Sequence, residues 1–282
     1  MFFLPLESKY LILGYHKIVS HARMQVEDLL AISEDEFRRQ ISWLNRFGYI
    51  FVTLSELVRR RKSKIPGRYV AVTFDDGSKD IIGHAYPILQ KYKAPATVFV
   101  ITNFIARELF FPWDLRKSQN KIMILRDEDK SMSWEELFLL SQNGWEIGSH
   151  TMSHPHLTEI PADEAQVEIA ESKRIIEKTL GVNVTSFCYP ARYANLEIAG
   201  LVEASGYKYA VIEYRSIEMP NGTLLPNCGN YSINRVSIYT VDSLLKFFVK
   251  ILGIWELLQH STLWTTLGIK VVAHMRSLFA AR

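Results

Sequence analysis

Short apolar runs of strand length alternate with helix-like segments along most of this chain. The run 69–72 has the β-branched and aromatic content of a buried strand. Comparable runs occupy 10–16, 96–101, 145–148, 184–189 and 207–212. Strands of this kind, separated by helices, pack as a mostly parallel sheet covered by helices. The alternation therefore predicts the α/β fold class.

The predicted helices carry recognisable end signals. A Ser or Thr followed by Glu three residues later forms a capping box at 33, 53 and 133. Gly48 ends the first of these helices, and the second is predicted to be short, ending at 58. Further helices are predicted over 85–92, 162–180 and 196–204.

One segment, 103–132, is less regular and contains an aromatic run that includes Trp113 and ends at Asp114. A long loop over the end of a sheet is often functional. A surface insertion whose aromatic residues pack on the body is the alternative, and the sequence favours neither.

The composition is that of an ordinary globular protein, with 48% hydrophobic and 22% charged residues in 282 positions. The net charge of +3 is small and argues against nucleic acid as a partner. The basic run 59–62 is interpreted as a solvated helix end. Cys188 and Cys228 make no disulfide framework and fit a reducing compartment.

The N-terminal segment is apolar but short, and it does not match a secretory signal. No apolar run approaches the roughly 20 residues that are needed to span a bilayer. We therefore expect a cytoplasmic location.

Two adjacent carboxylates, Asp75 and Asp76, follow the predicted strand 70–74. Successive strand residues point to opposite faces, so both can serve one site only if the strand ends there. Gly77 supplies such a turn. One carboxylate can then bind a metal while the other stays free as a base. Alone, the pair would also fit an ordinary turn or helix cap.

Two histidines, His150 and His154, follow another predicted strand. On a helix their spacing places both on one face, and on a loop a turn lets them converge. Carboxylate oxygens and imidazole nitrogens are ligands of a divalent metal such as zinc in an open catalytic site. Surface or capping histidines are the alternative. His156 is interpreted as a loop residue or as a group behind the ligands.

Three motifs resemble those of a known enzyme family. They are Thr-Phe-Asp-Asp-Gly at 73–77, His-Thr-Met-Ser-His-Pro at 150–155 and, more weakly, Phe-Cys-Tyr-Pro at 187–190. In this order they resemble the polysaccharide deacetylases of the NodB-homology, carbohydrate esterase type. The segments 14–18 and 37–54 resemble the subgroup that deacetylates poly-N-acetylglucosamine.

The resemblance covers residues 10–240 and implies a distorted (β/α)7 barrel with its site at the C-terminal strand ends. It implies that Asp76, His150 and His154 hold the metal and that Asp75 is the general base. It also implies that the backbone N–H of Ala191 stabilises the oxyanion. Zinc is the expected metal, although cobalt, nickel and iron accept similar ligands.

Two departures from the family pattern stand out. The third motif of the family usually carries an arginine near the base, and Cys188 stands at that place. Arg192 and Arg235 are the candidate substitutes. The fifth motif usually supplies a histidine as general acid, and none occurs in 213–240. His16 resembles the acid of a subgroup with a rearranged motif order, and a core histidine bonded to backbone is the alternative.

The chain is predicted to contain a polysaccharide deacetylase-like catalytic domain over 1–242 and a helical extension over 243–282. Apolar residues recur at helical spacing in 244–252 and again in 264–278. Packing of these helices against the domain body is favoured. Peripheral contact with the inner face of the membrane, through an amphipathic helix, is the alternative.

The expected function is metal-dependent removal of N-acetyl groups from a sugar in a polysaccharide, an oligosaccharide or a lipid-linked precursor. The expected partner is thus an N-acetylated carbohydrate. The expected location favours a cytosolic or lipid-linked precursor over an extracellular polymer. Two alternatives stay open, an inactive or weakly active carbohydrate-binding homologue and a deacylase for a different amide.

Overall fold

Parallel strands arranged as a closed barrel form the centre of the structure. The computed structural model describes residues 10–24, 28–120, 124–213, 228–240 and 244–251. Its strands are β1 (Tyr10–Tyr15), β2 (Lys17–Val19), β3 (Ala31–Ser33), β4 (Ile50–Phe51), β5 (Tyr69–Phe74), β6 (Thr97–Val100), β7 (Glu146–Ser149), β8 (Ser186–Cys188), β9 (Tyr209–Glu213) and β10 (Ile233–Ser237). Its α-helices are α1 (Glu34–Arg46), α2 (Leu54–Lys62), α3 (Tyr86–Lys91), α4 (Thr102–Ile105), α5 (Pro112–Gln119), α6 (Trp134–Gln142), α7 (Ala162–Leu180), α8 (Leu196–Ala204) and α9 (Leu244–Ile251).

Among the described residues, seven strands pair in parallel around the barrel in the order β1, β5, β6, β7, β8, β9 and β10. The ring closes where Gly14 of β1 pairs with Ser237 of β10 on one side and with Thr73 of β5 on the other. β4 pairs with β5 outside the ring, and β2 pairs with β3 in a separate small sheet. This is a (β/α)7 barrel, so the expected fold is confirmed.

Alternate strand residues enter two apolar cores. Residues such as Val72 belong to the larger core, between the strands and the helices. Ala71 and Phe99 belong to the smaller core, which also contains the buried face of α2. The N–H of Leu54, at the start of α2, donates to Thr97 Oγ1 at the beginning of β6. α2 therefore packs at the N-terminal end of the barrel, opposite the end where the two ligand motifs lie.

Most predicted elements are present with small shifts at their ends. α7 and α8 have the predicted bounds, and Ser133 and Glu136 form the predicted capping box of α6. α2 is longer than predicted, since it continues past 58 to Lys62. The basic run 59–62 forms its last turn, which confirms the interpretation of that run as a helix end. The sequence did not predict β2, β3, β4 and β10. It also missed α4 and α5, which lie in the segment left irregular.

The described part of the C-terminal extension is α9, and it packs against α1. The Phe248 ring lies 5.6 Å from the Trp43 ring and 6.0 Å from the Phe47 ring. The second predicted helix, 264–278, and its membrane alternative lie outside the described residues. No helix within the described ranges is both long and apolar enough to cross a membrane.

Candidate metal centre and catalytic site

The two ligand motifs lie at the C-terminal ends of barrel strands. β5 ends at Phe74, and Asp75 and Asp76 follow it directly. β7 ends at Ser149, and His150 follows it directly. Parallel strands of a barrel end at the same rim, where enzymes of such folds place their sites. The motifs therefore meet although 74 and 150 are far apart in the chain.

Left-handed backbone turns these side chains toward one another. Asp76 has a φ of 67° and Gly77 a φ of 79°. A Cβ on Gly77 would also come within 3.0 Å of Val100, so conformation and space both require glycine. Thr151 and His154 have φ values of 70° and 64°. The histidines thus lie on a loop, which decides between the two arrangements that their spacing allowed.

Asp76, His150 and His154 converge in a group that could hold a metal ion. Asp76 Oδ1 lies 3.7 Å from His150 Nε2 and 3.9 Å from His154 Nε2. The side chain of His150 is 3% exposed and that of His154 is 18% exposed. The group is therefore enclosed by protein on most sides and reaches solvent next to His154.

The donor chemistry of this group fits a divalent cation. His150 Nδ1 donates to the main-chain oxygen of Cys188 at 2.7 Å, so its Nε2 faces Asp76 with a free lone pair. Burial lowers the pKa of His150 to about 4 and that of His154 to about 3, so both rings are neutral, as ligands must be. Burial and the neighbouring Asp75 carboxylate raise the pKa of Asp76 well above its ordinary value. A bound cation would compensate this buried negative charge.

A second group of ligand atoms, from Asp75, His150 and Cys188, is less suitable for a metal. The Arg235 guanidinium already lies there, and its Nη2 donates to Cys188 Sγ at 3.2 Å. Burial raises the pKa of Cys188 well above its ordinary value, so its thiol stays protonated, whereas metals bind the thiolate. The group containing Asp76 is therefore the candidate metal centre.

Asp75 is held as an anion by Arg235. Nη1 donates to Oδ1 at 2.7 Å and Nη2 donates to Oδ2, which makes a two-bond ion pair. Burial by itself raises the pKa of Asp75, but the Arg235 charge outweighs burial and holds this pKa below its ordinary range. Arg235 also donates to Thr73 Oγ1 at 3.1 Å, and the Cys188 thiol lies 3.6 Å from Asp75 Oδ1. Of the two candidate substitutes for the family arginine, Arg235 makes this contact.

His16 lies beside Asp75 at the end of β1. His16 Nε2 is 3.6 Å from Asp75 Oδ2, and the His16 side chain is 16% exposed. Burial lowers the pKa of His16, while the Asp75 charge acts in the opposite direction. This placement is compatible with the predicted general acid, a role that stays a prediction.

The loop after β8 is joined to the histidine loop. His156 stacks on Tyr193 with ring centres 3.9 Å apart, and its Nδ1 bonds Glu159 at 2.9 Å. These contacts place His156 in the loop, outside the two ligand groups. Ala191, two residues before Tyr193, is exposed and has a φ of 46°.

Trp113 lies near the centre although the sequence assigned it no role. It belongs to α5, and its ring centre is 5.1 Å from that of His154. The next residue, Asp114, is fully buried and accepts a hydrogen bond from Lys17 Nζ at 2.6 Å. The available signal was the aromatic run before an acidic residue in the long segment 103–132. That signal did not show which residue of the barrel would pair with the Asp114 carboxylate.

Comparison of the sequence with known proteins agrees with this geometry. The family model described as polysaccharide deacetylase matches residues 62–210. A poly-beta-1,6-N-acetyl-D-glucosamine N-deacetylase of Staphylococcus aureus is 30% identical over 217 residues. The match covers 74% of this chain and 68% of that protein.

Solved structures lead to the same family. The deacetylase PplD of Streptococcus pyogenes, solved in complex with acetate, has a TM-score of 0.66 and 26% identity, covering 86% of this chain and 98% of that one. IcaB from Ammonifex degensii has a TM-score of 0.64 and 23% identity, covering 86% and 96%, and it shows the same fold. The motifs, the barrel and these matches together establish that the chain belongs to the polysaccharide deacetylase family and is a polysaccharide N-deacetylase, a hydrolase.

Proposed function

We propose that this enzyme is metal-dependent and removes the acetyl group from N-acetylglucosamine units of a polysaccharide or oligosaccharide. One observation carries the proposal, the presence of a compact ligand group beside an anionic carboxylate, Asp75, that is not part of it. The similarity to the staphylococcal enzyme, whose name specifies poly-beta-1,6-N-acetyl-D-glucosamine, supports this sugar. The His2Asp donor set supports zinc as the metal.

The residues of the site then divide the work of amide hydrolysis. A bound divalent cation would act as a Lewis acid on the acetamide carbonyl and lower the pKa of water. Asp75 takes the proton of the attacking water at a carboxylate oxygen. The backbone N–H of Ala191 donates a hydrogen bond to the oxygen that becomes negative. His16 gives a proton to the departing nitrogen as the C–N bond breaks, and the proton that Asp75 took then restores it, so the products are acetate and a free amine.

The observation that favoured an inactive carbohydrate-binding homologue has another explanation. It depended on the absence of an arginine at position 188 and of a histidine in 213–240. Arg235 Nη1 lies 2.7 Å from Asp75 Oδ1, and His16 Nε2 lies 3.6 Å from Asp75 Oδ2. A guanidinium and an imidazole thus lie beside Asp75, and this supports an active enzyme over a binding homologue.

Replacing each neighbouring carboxylate separately tests the proposal. Asp75→Asn should keep the bound zinc and lower kcat about 10²–10⁴-fold, the usual contribution of a general base. Asp76→Asn should lose zinc as well as activity, because it removes a ligand. Zinc content after dialysis is measured by mass spectrometry of the metal, and acetate release is measured on β-1,6-linked N-acetylglucosamine oligomers.

The two variants are each other's control, since they differ by one position. Full activity of Asp75→Asn would exclude it as the base, and unchanged zinc content of Asp76→Asn would exclude this metal centre. Products from free oligomers, lipid-linked sugars and N-acetylated peptides, compared by mass spectrometry, would show which amide is hydrolysed. Turnover of the peptides alone would contradict the proposed sugar.

A further inference from the structure

Arg235 reaches Asp75 by crossing a neighbouring strand inside the barrel. Arg235 belongs to β10 and Asp75 follows β5, and β1 lies between these two strands. The Arg235 side chain is 4% exposed, and its guanidinium carbon lies 5.9 Å from the centre of the Phe99 ring in the smaller core. The side chain therefore passes over β1 within the barrel and not around its rim.

Gly14 lies at the crossing point. It is the β1 residue that pairs in register with Ser237 of β10 and with Thr73 of β5. Residues in register on neighbouring strands point to the same face of a sheet. The Thr73 hydroxyl meets Arg235 at 3.1 Å inside the barrel, so a side chain at position 14 would point there too.

Position 14 requires glycine because a side chain there would crowd Arg235, and not because of its backbone conformation. Gly14 lacks the left-handed φ that seven other described glycines have. A Cβ on Gly14 would lie 3.2 Å from Arg235 Cδ and Nε and 3.2 Å from Ser237 Oγ. Those contacts are tighter than ordinary van der Waals contact. Glycine weakens a strand interior and often marks the close approach of another group, which here is the Arg235 side chain.

We propose that Gly14 is a positioning residue whose missing side chain opens the passage through which Arg235 reaches Asp75. Gly14 touches no reacting atom and acts through Arg235 alone. The inference rests on the proposed role of Asp75 as the base. It also explains how a chain with Cys188 at the family arginine position keeps a guanidinium at that carboxylate, because the cation comes from a different strand.

Filling the passage in the full chain tests the effect on catalysis. Gly14→Val adds methyl groups on a residue type that suits strands, so the β1 backbone conformation is tolerated while the passage is blocked. We expect kcat to fall at least tenfold, with KM changed less than about twofold, because Gly14 acts through the proposed base and not through substrate binding. Gly14→Ala should lower kcat less. Gly200→Ala on α8, where nothing lies within 4 Å of an added Cβ, is the matched control and should change neither constant.

A double-variant comparison tests the same passage without using turnover. Gly14→Val should lower the urea midpoint of the parent chain, whereas in an Arg235→Ala background it should lower the midpoint clearly less. The reason is that removing the Arg235 side chain takes away two of the three close contacts and leaves that with Ser237 Oγ. If Gly14→Val does not fold, Gly14→Ala gives the same comparison.

Two results would overturn the inference, an undiminished kcat in Gly14→Val and equal midpoint shifts in both backgrounds. The second readout does not require deacetylation. It therefore separates a failure of this inference from a failure of the proposed function.

Discussion

Asp75 and Asp76 are neighbours in the chain but lie in opposite electrostatic surroundings. Arg235 holds the pKa of Asp75 below its ordinary range, although burial alone would raise it. Burial and the Asp75 charge raise the pKa of Asp76. Asp75 thus has a fixed cation, the Arg235 guanidinium. Asp76 has no such partner in its group and could bind an exchangeable metal ion. Neighbouring acids whose pKa values are driven apart commonly have different catalytic roles.

Removal of the Arg235 guanidinium should impair Asp75 in its proposed role as the base. Arg235→Ala should lower kcat about 100-fold at neutral pH, because an unpaired buried Asp75 takes up a proton. Arg235→Lys should be intermediate, since an ammonium cannot make both bonds in the geometry of a guanidinium. Acetate release at a fixed pH gives kcat for each variant.

Arg192→Ala is the matched control for this experiment, because Arg192 was the other candidate from the sequence. It should change kcat less than about threefold, within the range of a residue that does not contact the base. A loss in Arg192→Ala equal to that in Arg235→Ala, or full activity of Arg235→Ala, would contradict the assignment.

At the scale of elements, β10 shows why the sequence indicated the ligands but not the partner of the base. Each ligand motif is local and directly follows an apolar run. β10 instead buries Ile233, Arg235 and Ser237, so two of its three inward positions are polar and its pattern does not indicate a strand. The choice between Arg192 and Arg235 depends on the pairing of β10 with β1, a contact between distant parts of the chain. No local sequence pattern shows that β10 pairs with β1 and closes the barrel.

A buried ion pair with Lys17 of β2 helps to hold α5, the helix that carries Trp113. The side chains of Lys17 and Asp114 are 6% and 0% exposed, and their charged atoms lie 2.6 Å apart. Lys17→Met leaves Asp114 with the more distant Lys117, at 3.6 Å. We expect the free energy of unfolding to fall by about 3 kcal/mol, because the buried Asp114 loses its nearest cation. Urea denaturation measures this change.

The double variant Lys17→Met/Asp114→Leu should recover part of that loss, since no buried charge is then left unpaired. The exposed pair of Arg59 with Glu56 on α2 provides the control. Arg59→Ala should leave the urea midpoint nearly unchanged, because solvent screens this exposed pair. A double variant less stable than Lys17→Met alone would show that the ion pair itself is not what fixes α5.

At the scale of the whole molecule, stability should depend on pH through a buried carboxyl outside the metal centre. Asp80 is 1% exposed and accepts a hydrogen bond from the N–H of Ile18. Burial raises the pKa of Asp80 to about 7. The unfolded chain releases this proton near pH 4, at about the ordinary pKa, while the folded chain keeps it up to about pH 7. Asp80 therefore lowers the free energy of unfolding progressively between these two values, and no further above pH 7.

Asp80→Asn should remove this dependence, because the amide does not titrate and still offers an oxygen to Ile18. The free energy of unfolding of the variant minus that of the parent should rise by about 2–4 kcal/mol between pH 4 and pH 7. Urea denaturation of both proteins at the two pH values gives this difference and cancels the titration of all other groups. A difference that is constant with pH would show that Asp80 is ionised in the folded chain.

The bond that orients His150 ends on a peptide carbonyl, that of Cys188, and not on a side chain. Every amino acid at position 188 presents the same carbonyl, so the tautomer of this imidazole is insulated from substitutions there. The position can exchange a guanidinium for a thiol while the ligand geometry is preserved. Main chain and side chain thus have separate roles at one strand end, because the carbonyl of Cys188 orients His150 while its thiol packs against Asp75 and Arg235.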